Sequence, residues 1–270
     1  MRILPSIITI VGGSLRGEWA MFSVVLPCFN ESRHGYLPQI LENLCAQRYA
    51  PGSEKQLIAV VSESEDDTLA VIRRFPEVEV IESAATNRAQ RLNVGIEASR
   101  GEFVLLHHPA TLLPEKDALV QAEALLKAGA VWGGFVHGFD RDHWLLRFTS
   151  WYSTRVRSRQ GILYLDHCIF ARRQALMDIG GVPDMDIFED TALSMALRER
   201  GKVAIAPGAV TTSARRFQQR GLYRQALLNQ LLKLMYYANL DPKHLNRLYE
   251  QKSQINVGYG PKNTDGNNTD

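Results

Sequence analysis

Residues 22–32 read FSVVLPCFNES, a β-branched apolar run that ends at a proline and opens into a polar loop. Similar apolar runs recur as QLIAVV at 56–61, VEVI at 78–81 and FVLL at 103–106. Segments with the 3.6-residue period of helices separate these runs. Strands that alternate with helices are typical of a parallel sheet covered by helices, so the sequence predicts an α/β fold.

The pattern continues less regularly toward the C-terminus. AVWGGFV at 130–136 and CIFARR at 168–173 read as further strands. The predicted helices are one over about 37–44, one capped by Thr86 and ending near Gly101, one over about 190–200, one over 222–240 and one after Pro242. The last two helices form a C-terminal extension of the same domain.

The length of 270 residues is enough for one substantial core, and we expect a single domain over residues 21–254. Residues 1–20 carry a short, interrupted apolar stretch without a clean cleavage site, which favours an N-terminal extension over a secretory signal peptide. Residues 255–270 are rich in Gly, Asn and Asp and are predicted to be disordered. Three cysteines without CxxC spacing indicate reduced thiols and a cytoplasmic location.

The bulk composition argues against several classes of protein. Hydrophobic residues make up 45% of the chain and charged residues 22%, values near those of soluble globular proteins, which argues against a disordered chain or a multi-span membrane protein. The net charge of +2 is too small to indicate a nucleic-acid partner. Binding through charge must therefore depend on local clusters.

Polar loops follow three of the predicted strands: CFNES at 28–32, SESEDDT at 62–68 and HHPAT at 107–111. Ligands of open parallel sheets bind beyond the carboxyl ends of the strands, so these loops predict a polar ligand crevice. Pro27 turns the chain out of the sheet, and Asn30 and Glu31 supply an amide and a carboxylate that can hydrogen-bond a base or a ribose. An ordinary turn and helix cap is the alternative interpretation of this loop.

Several ordered motifs resemble one enzyme family. SVVLPCFNES at 23–32 looks like the opening of glycosyltransferase family 2, and FEDTALS at 188–194 resembles that family's ED motif. NRAQRLNVGIEASRGEFVLLHHPATLLP at 87–114 and TTSARRF at 211–217 resemble a subgroup known from radical-SAM/selenodomain-associated gene clusters. The resemblance covers about 22–250. It implies the GT-A fold of nucleotide-diphospho-sugar transferases, a mostly parallel sheet flanked by helices, with a C-terminal helical extension.

The resemblance implies an inverting glycosyltransferase that moves a sugar from a nucleotide-diphosphate donor, a UDP- or GDP-sugar, to an acceptor hydroxyl. Asp190 of the ED motif is then the candidate catalytic base, with Glu189 beside it as an orienting or alternative base. Two adjacent carboxylates can raise each other's pKa, which suits proton abstraction. The alternative is that Asp190 only caps the first turn of its helix.

The candidate donor-binding residues come from several segments. By the same resemblance Arg88 meets the donor's phosphates with Gln90 and Asn93 beside it, although a solvated helix face explains these three as well. Positive charge is needed where the nucleoside diphosphate leaves, and arginine suits this because its planar group contacts two oxygens. The full candidate set is Pro27, Asn30, Glu31, Glu63, Arg88, Gln90, Asn93, His108, Arg215 and Arg216.

Arg215 and Arg216 belong, with Arg220 and Arg224, to a cluster without an intervening acid. This cluster can bind phosphates, or it can form a patch on the membrane surface beside a lipid-linked acceptor. The two uses are compatible, and the sequence does not identify the acceptor. We therefore expect a cytoplasmic protein, with peripheral contact at the inner face of the membrane left open.

The metal site expected from the resemblance is degenerate. Where the family reads HAD, this chain reads HPA at 108–110, so that Ala110 stands in place of the expected acidic ligand. The loop after the second strand reads SESEDDT instead of DGGSxDGT, which leaves Glu65 and Asp66 as the candidate ligands of Mg²⁺ or Mn²⁺. We expect only weak dependence on such a metal.

Loss of the acidic ligand keeps two other functions open. A non-catalytic protein would retain the fold and Arg88 and would bind a sugar nucleotide without turnover. A peripheral membrane scaffold would use only the C-terminal arginine-rich helix. The intact Glu189-Asp190 pair favours the enzyme over the binding protein.

Overall fold

The computed structural model describes residues 20–114 and 116–250, and an eight-stranded sheet forms its centre. The strands are β1 (Ala20–Cys28), β2 (Ser53–Ser62), β3 (Val78–Ser83), β4 (Phe103–Leu106), β5 (Thr111–Leu112), β6 (Trp132–Phe139), β7 (Ile169–Arg172) and β8 (Val203–Thr212). They lie in the order β3-β2-β1-β4-β7-β6-β8-β5. Four strand pairs are parallel and three are antiparallel, which confirms the predicted α/β fold with a mostly parallel sheet.

Helices cover both faces of this sheet. They are α1 (Leu37–Cys45), α2 (Thr68–Ile72), α3 (Arg88–Ala98), α4 (Ala118–Lys127), α5 (Trp144–Tyr152), α6 (Arg173–Asp178), α7 (Glu189–Arg198), α8 (Arg215–Arg220), α9 (Leu222–Tyr237) and α10 (Pro242–Glu250). The predicted helices correspond to α1, α3, α7, α9 and α10. α9 and α10 form the C-terminal helical extension that the sequence predicts, and α8 precedes them as a short helix that was not predicted.

β1 sends alternate side chains to two different helical layers. Val24 packs in one cluster with Ile40 of α1, and Val25 packs in another with Leu92 of α3. Because successive side chains of a strand point to opposite faces, an unbroken apolar strand requires helices on both sides. At Gly95 of α3 an added Cβ would lie 2.2 Å from Val25 Cγ1, so that glycine permits the close approach of this helix to the sheet.

The second half of the sheet differs from the sequence interpretation. The strand predicted at 168–173 is β7, and it runs antiparallel between β4 and β6. β8 pairs in parallel with β6 and is not among the predicted strands. Its sequence, VAIAPGAVTT, contains a proline and a glycine, which weaken the strand signal.

The cap of α3 also differs from the prediction. Asn87, not Thr86, occupies the N-cap, where its side chain accepts a hydrogen bond from the Gln90 backbone N–H at 2.9 Å. The Thr86 backbone N–H instead donates to Gln90 Oε1 at 2.9 Å. The predicted cap is therefore wrong by one residue, because the helix begins at Arg88 and its orphan N–H groups lie within reach of Asn87.

The first strand begins at Ala20, one residue before the predicted domain boundary, and Ala20 pairs with Ser53 of β2. Residues 1–19 and the predicted tail at 255–270 lie outside the described residues, so the division into extension, domain and tail stays a prediction. Over 20–114 and 116–250, the helices lack the length and apolar character needed to cross a bilayer.

Candidate active site

A cavity of about 250 Å³ lies beyond the carboxyl ends of β4, β6 and β8, and of the three polar loops that predict a ligand crevice only the one after β4 lines it. Its walls come from the loop after β4, from the ends of β6 and β8, and from the helices α5, α7, α8 and α9. Predicted site residues that line it are Arg88, His108, Asp190, Arg215 and Arg216, together with Ala110 at the position of the missing ligand. The fold thus brings together residues from four separate segments.

Asp190 lies in the first turn of α7 and lines this cavity. Its Oδ2 accepts a hydrogen bond from the Leu165 backbone N–H at 3.0 Å, and its Oδ1 accepts one from the Thr191 N–H at 2.6 Å. Burial raises the pKa of Asp190 to about 6; Glu189 adds to the increase, whereas Arg88 opposes it. Asp190 is therefore a fixed carboxylate whose protonation changes just below neutral pH.

Glu189 is 1% exposed and is not part of the cavity wall. Its Oε1 accepts a hydrogen bond from Arg88 Nε in a buried ion pair. Within the described part of the chain, its Oε2 has no hydrogen-bond donor. Glu189 is thus placed to fix the Arg88 guanidinium at the edge of the cavity, beside Asp190.

A second carboxylate in the same cavity, Asp166, is not among the predicted site residues. Its Oδ2 lies 3.3 Å from His137 Nε2, and His137 Nδ1 lies 3.0 Å from Ser150 Oγ. Burial opposes ionisation, but the nearby His137 holds the pKa of Asp166 well below its ordinary value. The polar pair within the apolar run ILYLDHCIF at 162–170 is the sequence signal that could have indicated this residue.

The two histidines after β4 have different surroundings. His107 is fully buried, and burial lowers its pKa to about 3, so that its ring is neutral. His108 lines the cavity, where burial, reinforced by Arg88, holds its pKa well below the ordinary value. His108 Nδ1 accepts the Ala110 backbone N–H at 3.3 Å, which places the proton of its neutral ring on Nε2. His108 can therefore donate a hydrogen bond without adding a charge.

Glu31, in the loop after β1, connects the opening loops to this cavity. Its backbone N–H donates to Thr68 Oγ1 at 2.8 Å, and its Oε2 lies 3.8 Å from Arg215 Nη2. Burial raises the pKa of Glu31 to about 7, although Arg215 and Arg91 act in the opposite direction. Arg215 also lies over the Tyr36 ring, 5.8 Å from its centroid. The Arg215 guanidinium is therefore held against the loop after the first strand.

A separate crevice of about 450 Å³ lies at the carboxyl ends of β2 and β3, where Glu63, Ser64 and Asp66 line it. Asn30 holds the neighbouring loop in place. Its backbone N–H donates to Ser64 Oγ at 3.1 Å, and its Oδ1 accepts the Glu65 N–H at 2.8 Å. Asn30 has φ of 53°, a left-handed conformation that asparagine adopts more readily than most residues.

Six predicted donor-binding residues do not line the cavity: Asn30, Glu31 and Glu63 belong to the loops described above, and the other three are Pro27, Gln90 and Asn93. Pro27 is buried within β1. Gln90 donates to Asp184 Oδ2 at 3.0 Å, and Asn93 exchanges two hydrogen bonds with the Val182 backbone at 2.7 and 2.8 Å. These contacts hold α3 against the segment that precedes α7. A direct role of the three residues in donor binding stays a prediction.

The arginine cluster is largely turned inward. Arg215 and Arg216 line the cavity, and Arg216 donates to the Tyr249 hydroxyl. Arg220 donates to the Tyr249 backbone carbonyl, whereas Arg224 is exposed. The four arginines therefore do not form the single exposed patch that a membrane-binding role of the whole cluster requires.

The oxygen donors at the predicted metal position do not fit a resident divalent ion. Ala110 has no side-chain oxygen, and Asp66 already accepts the backbone N–H groups of Thr68 and Arg33 at 3.0 and 2.8 Å. Glu65 points to solvent at the surface. Over the described ranges, His, Cys, Asp and Glu side chains form no group of three able to hold a metal. The weak site predicted at Glu65 and Asp66 stays a prediction.

The sequence profile of glycosyl transferase family 2 matches residues 23–180, more than half of the chain. No curated protein matches the sequence. Among solved structures, the mannosyltransferase PcManGT from Pyrobaculum calidifontis, in complex with GDP-Man and Mn²⁺, is similar with a TM-score of 0.61 and 20% identity. That match covers 84% of this chain and 69% of the mannosyltransferase chain.

A second similar protein is TarS from S. aureus. It has a TM-score of 0.55 and 17% identity over 86% of this chain, which spans only 42% of the TarS chain. TarS 1-349 in complex with UDP-GlcNAc has a TM-score of 0.57 and 17% identity, and the match covers 86% of this chain and 71% of that one. At these identities the likeness shows the fold alone.

Proposed function

This chain belongs to glycosyltransferase family 2 and is a glycosyltransferase, and from that premise we propose that it transfers a sugar from a nucleotide-diphosphate donor to an acceptor hydroxyl, with inversion and with Asp190 as the catalytic base. The observation that carries the proposal is the placement of Asp190, which lines the cavity and is held by two backbone N–H groups. A carboxylate with a pKa of about 6 is mostly ionised at neutral pH and still basic enough to accept a proton.

In this mechanism the acceptor hydroxyl donates a hydrogen bond to Asp190 Oδ2, which accepts only the Leu165 N–H, whereas Oδ1 accepts both the N–H and the hydroxyl of Thr191. As the acceptor oxygen forms its bond to the anomeric carbon, its proton passes to Asp190. The bond between the anomeric carbon and the diphosphate oxygen breaks, and the nucleoside diphosphate leaves with the electron pair. Attack from the side opposite the leaving group inverts the anomeric centre.

The leaving diphosphate is stabilised, in this proposal, by cations in the cavity wall. Arg88, Arg215 and Arg216 all line the cavity, and Glu189 fixes the first of them. Charge develops on the diphosphate as the bond breaks, and fixed guanidinium groups stabilise that charge best when little rearrangement is needed. His108 Nε2–H adds a neutral donor. No step of this mechanism depends on a metal ion.

The donor's base and ribose are assigned, as part of the proposal, to the crevice lined by Glu63 and Ser64, with Asn30 and Glu31 between that crevice and the cavity. Similar structures bind UDP-GlcNAc and GDP-Man, which supports a UDP- or GDP-sugar. The TTSARRF segment at 211–217 supports membership of the radical-SAM/selenodomain-associated subgroup. A cytoplasmic location belongs to the same proposal.

A second candidate function is a sugar-nucleotide-binding protein without turnover. The observation that favours it is Ala110, which leaves the position of the family's acidic metal ligand without an oxygen. Arg88, Arg215 and Arg216 would serve donor binding equally well in such a protein. The two candidates differ in whether Asp190 accepts a proton.

The experiment measures nucleotide release from UDP- and GDP-sugars by the wild type and by Asp190→Asn, each with donor affinity from thermal shift. We expect release to fall roughly a thousandfold in the variant, with donor affinity largely retained, because the amide keeps the shape but accepts no proton. The matched control is Glu199→Gln, just past the end of α7, where the side chain is 73% exposed. Equal release by wild type and Asp190→Asn, both above the rate without enzyme, would remove Asp190 from the mechanism. Donor binding by a wild type whose release does not exceed the rate without enzyme would favour the binding protein.

A further inference from the structure

Helices α5 and α9 expose large apolar side chains beside the cavity. Trp144, Phe148 and Trp151 of α5 are 56%, 53% and 55% exposed. The exposed apolar residues of α9 include Tyr223, Leu227, Leu231 and Leu234. We call these seven side chains the α5–α9 face.

The spacing of these residues shows that each helix carries an outward apolar stripe. On α9 the exposed residues follow one another at intervals of three and four, which places them on one side of the helix. The opposite side of α9 packs inward, where Leu232 joins Ile187 and Leu245 in a buried cluster. Core packing therefore accounts for one side of α9 and leaves Leu227, Leu231 and Leu234 exposed on the other.

The two stripes adjoin each other and border the cavity. The Trp144 ring of α5 lies 6.4 Å from the Tyr223 ring of α9. Phe148 and Tyr152 of α5 line the cavity from one side, and Lys233 of α9 lines it as well. A surface that covered the α5–α9 face would therefore lie at the mouth of the cavity.

The segments that carry this face are basic throughout. Residues 143–165 and 213–240 contain nine Lys or Arg residues and neither Asp nor Glu: Arg147, Arg155, Arg157, Arg159, Arg215, Arg216, Arg220, Arg224 and Lys233. Arg147, Arg155, Arg159 and Arg224 of this set are exposed, and Arg147 pairs with Asp142, just outside these segments, at 2.8 Å. Aromatic rings and leucines flanked by exposed cations are the composition of helices that lie in the interface of an anionic bilayer.

We propose that the α5–α9 face docks on an anionic phospholipid surface, with its rings and leucines in the headgroup region and the mouth of the cavity toward the lipid. The acceptor would then be held in the membrane, a consequence that rests on the proposed function. This membrane contact differs from the one predicted for the arginine cluster, because three of those four arginines turn inward.

Charge decides between a bilayer and the other surfaces that could cover this face. A second copy of the chain would bring an identical basic surface and would be repelled. Arg2, Arg16 and Glu18 leave residues 1–19 at a net charge of +1, and two lysines and two aspartates leave residues 251–270 neutral. Only an anionic partner complements the exposed cations.

The test measures binding of the full-length protein to vesicles of phosphatidylcholine alone and of phosphatidylcholine with about one third phosphatidylglycerol, by co-sedimentation in the absence of donor. We expect binding to the anionic vesicles that weakens with salt. Trp151→Ser/Leu227→Ser/Leu234→Ser changes exposed residues outside the cavity wall and should weaken binding roughly a hundredfold. Arg155→Gln/Arg224→Gln should weaken it roughly tenfold.

The matched control is Met177→Ser, because Met177 is 43% exposed on α6, away from the α5–α9 face, and its replacement should leave vesicle binding unchanged. Absence of binding to anionic vesicles, or equal binding by the triple variant, would overturn the proposal. So would a dimer in sedimentation velocity that the triple variant dissociates. Vesicle binding without nucleotide release would support docking and refute the proposed function. Nucleotide release without vesicle binding would refute docking and leave the proposed function standing.

Discussion

Replacement of Asp190 by asparagine should change the stability of the protein in a pH-dependent way. Burial raises the pKa of this carboxyl from 3.8 to about 6. A carboxyl whose pKa is higher in the folded state than in the unfolded state binds protons more tightly when folded. Ionisation of Asp190 therefore lowers the free energy of unfolding as pH rises from 3.8 to about 6. Above pH 6 the full decrease is present. Asparagine carries no such cost because it does not ionise.

The size of the effect follows from the two pKa values. At pH 7 the ionised Asp190 costs about 3 kcal/mol relative to a group with an unshifted pKa, and at pH 4.5 the cost falls to about 1 kcal/mol. Asparagine has only one acceptor oxygen for the Leu165 and Thr191 N–H groups, so one of the two hydrogen bonds is lost. This loss lowers the free energy of unfolding of the variant by about 1.5 kcal/mol at either pH. The net expectation is a variant more stable than wild type by about 1.5 kcal/mol at pH 7 and slightly less stable at pH 4.5.

Urea unfolding of wild type and Asp190→Asn at pH 4.5 and pH 7 measures this change. The difference between the two pH values, about 2 kcal/mol, does not depend on the cost of the lost hydrogen bond. Glu199→Gln serves as the control, since this side chain is 73% exposed and its replacement should change stability little. A stability difference for Asp190→Asn that does not vary with pH would refute the raised pKa of Asp190.

Other changes test the remaining parts of the site. Wild-type kcat/KM should fall about tenfold for each pH unit below about 6, because only the ionised Asp190 accepts a proton; initial rates between pH 4.5 and 8 check this, and a flat profile would contradict it. Arg216→Met should weaken nucleoside-diphosphate binding roughly tenfold by calorimetry, whereas Arg100→Met on the surface should not. Wild type should bind Mn²⁺ only in roughly the millimolar range, and Ala110→Asp should bind it more tightly; micromolar binding by wild type would count against this assignment. A chain that begins at Met21 should keep its melting temperature within about 3 °C, and unfolding on truncation would show that the preceding residues belong to the core.

The strands and helices that could be predicted are those whose hydrophobic pattern lies within the segment itself. In β1, successive residues such as Val24 and Val25 face different helices, and the apolar run at 24–27 follows directly from that burial. Sequence motifs identified Arg88, Asp190 and Arg215 as site residues, and all three line the cavity. β8 gave a weak signal because proline and glycine interrupt it, and its identity as a strand depends on pairing with β6.

Tertiary structure alone decided which side chains meet. Asp166 carries no motif in the sequence, yet the turn that contains it lies between Asp190 and His137. Arg220 turns inward to the last helix, although its neighbours in sequence suggest an exposed patch. Local periodicity tells whether a residue is buried, because burial depends on the repeat of its own element. The partner it meets depends on how distant elements cross and pair, and a strand or helix pattern carries no record of that pairing.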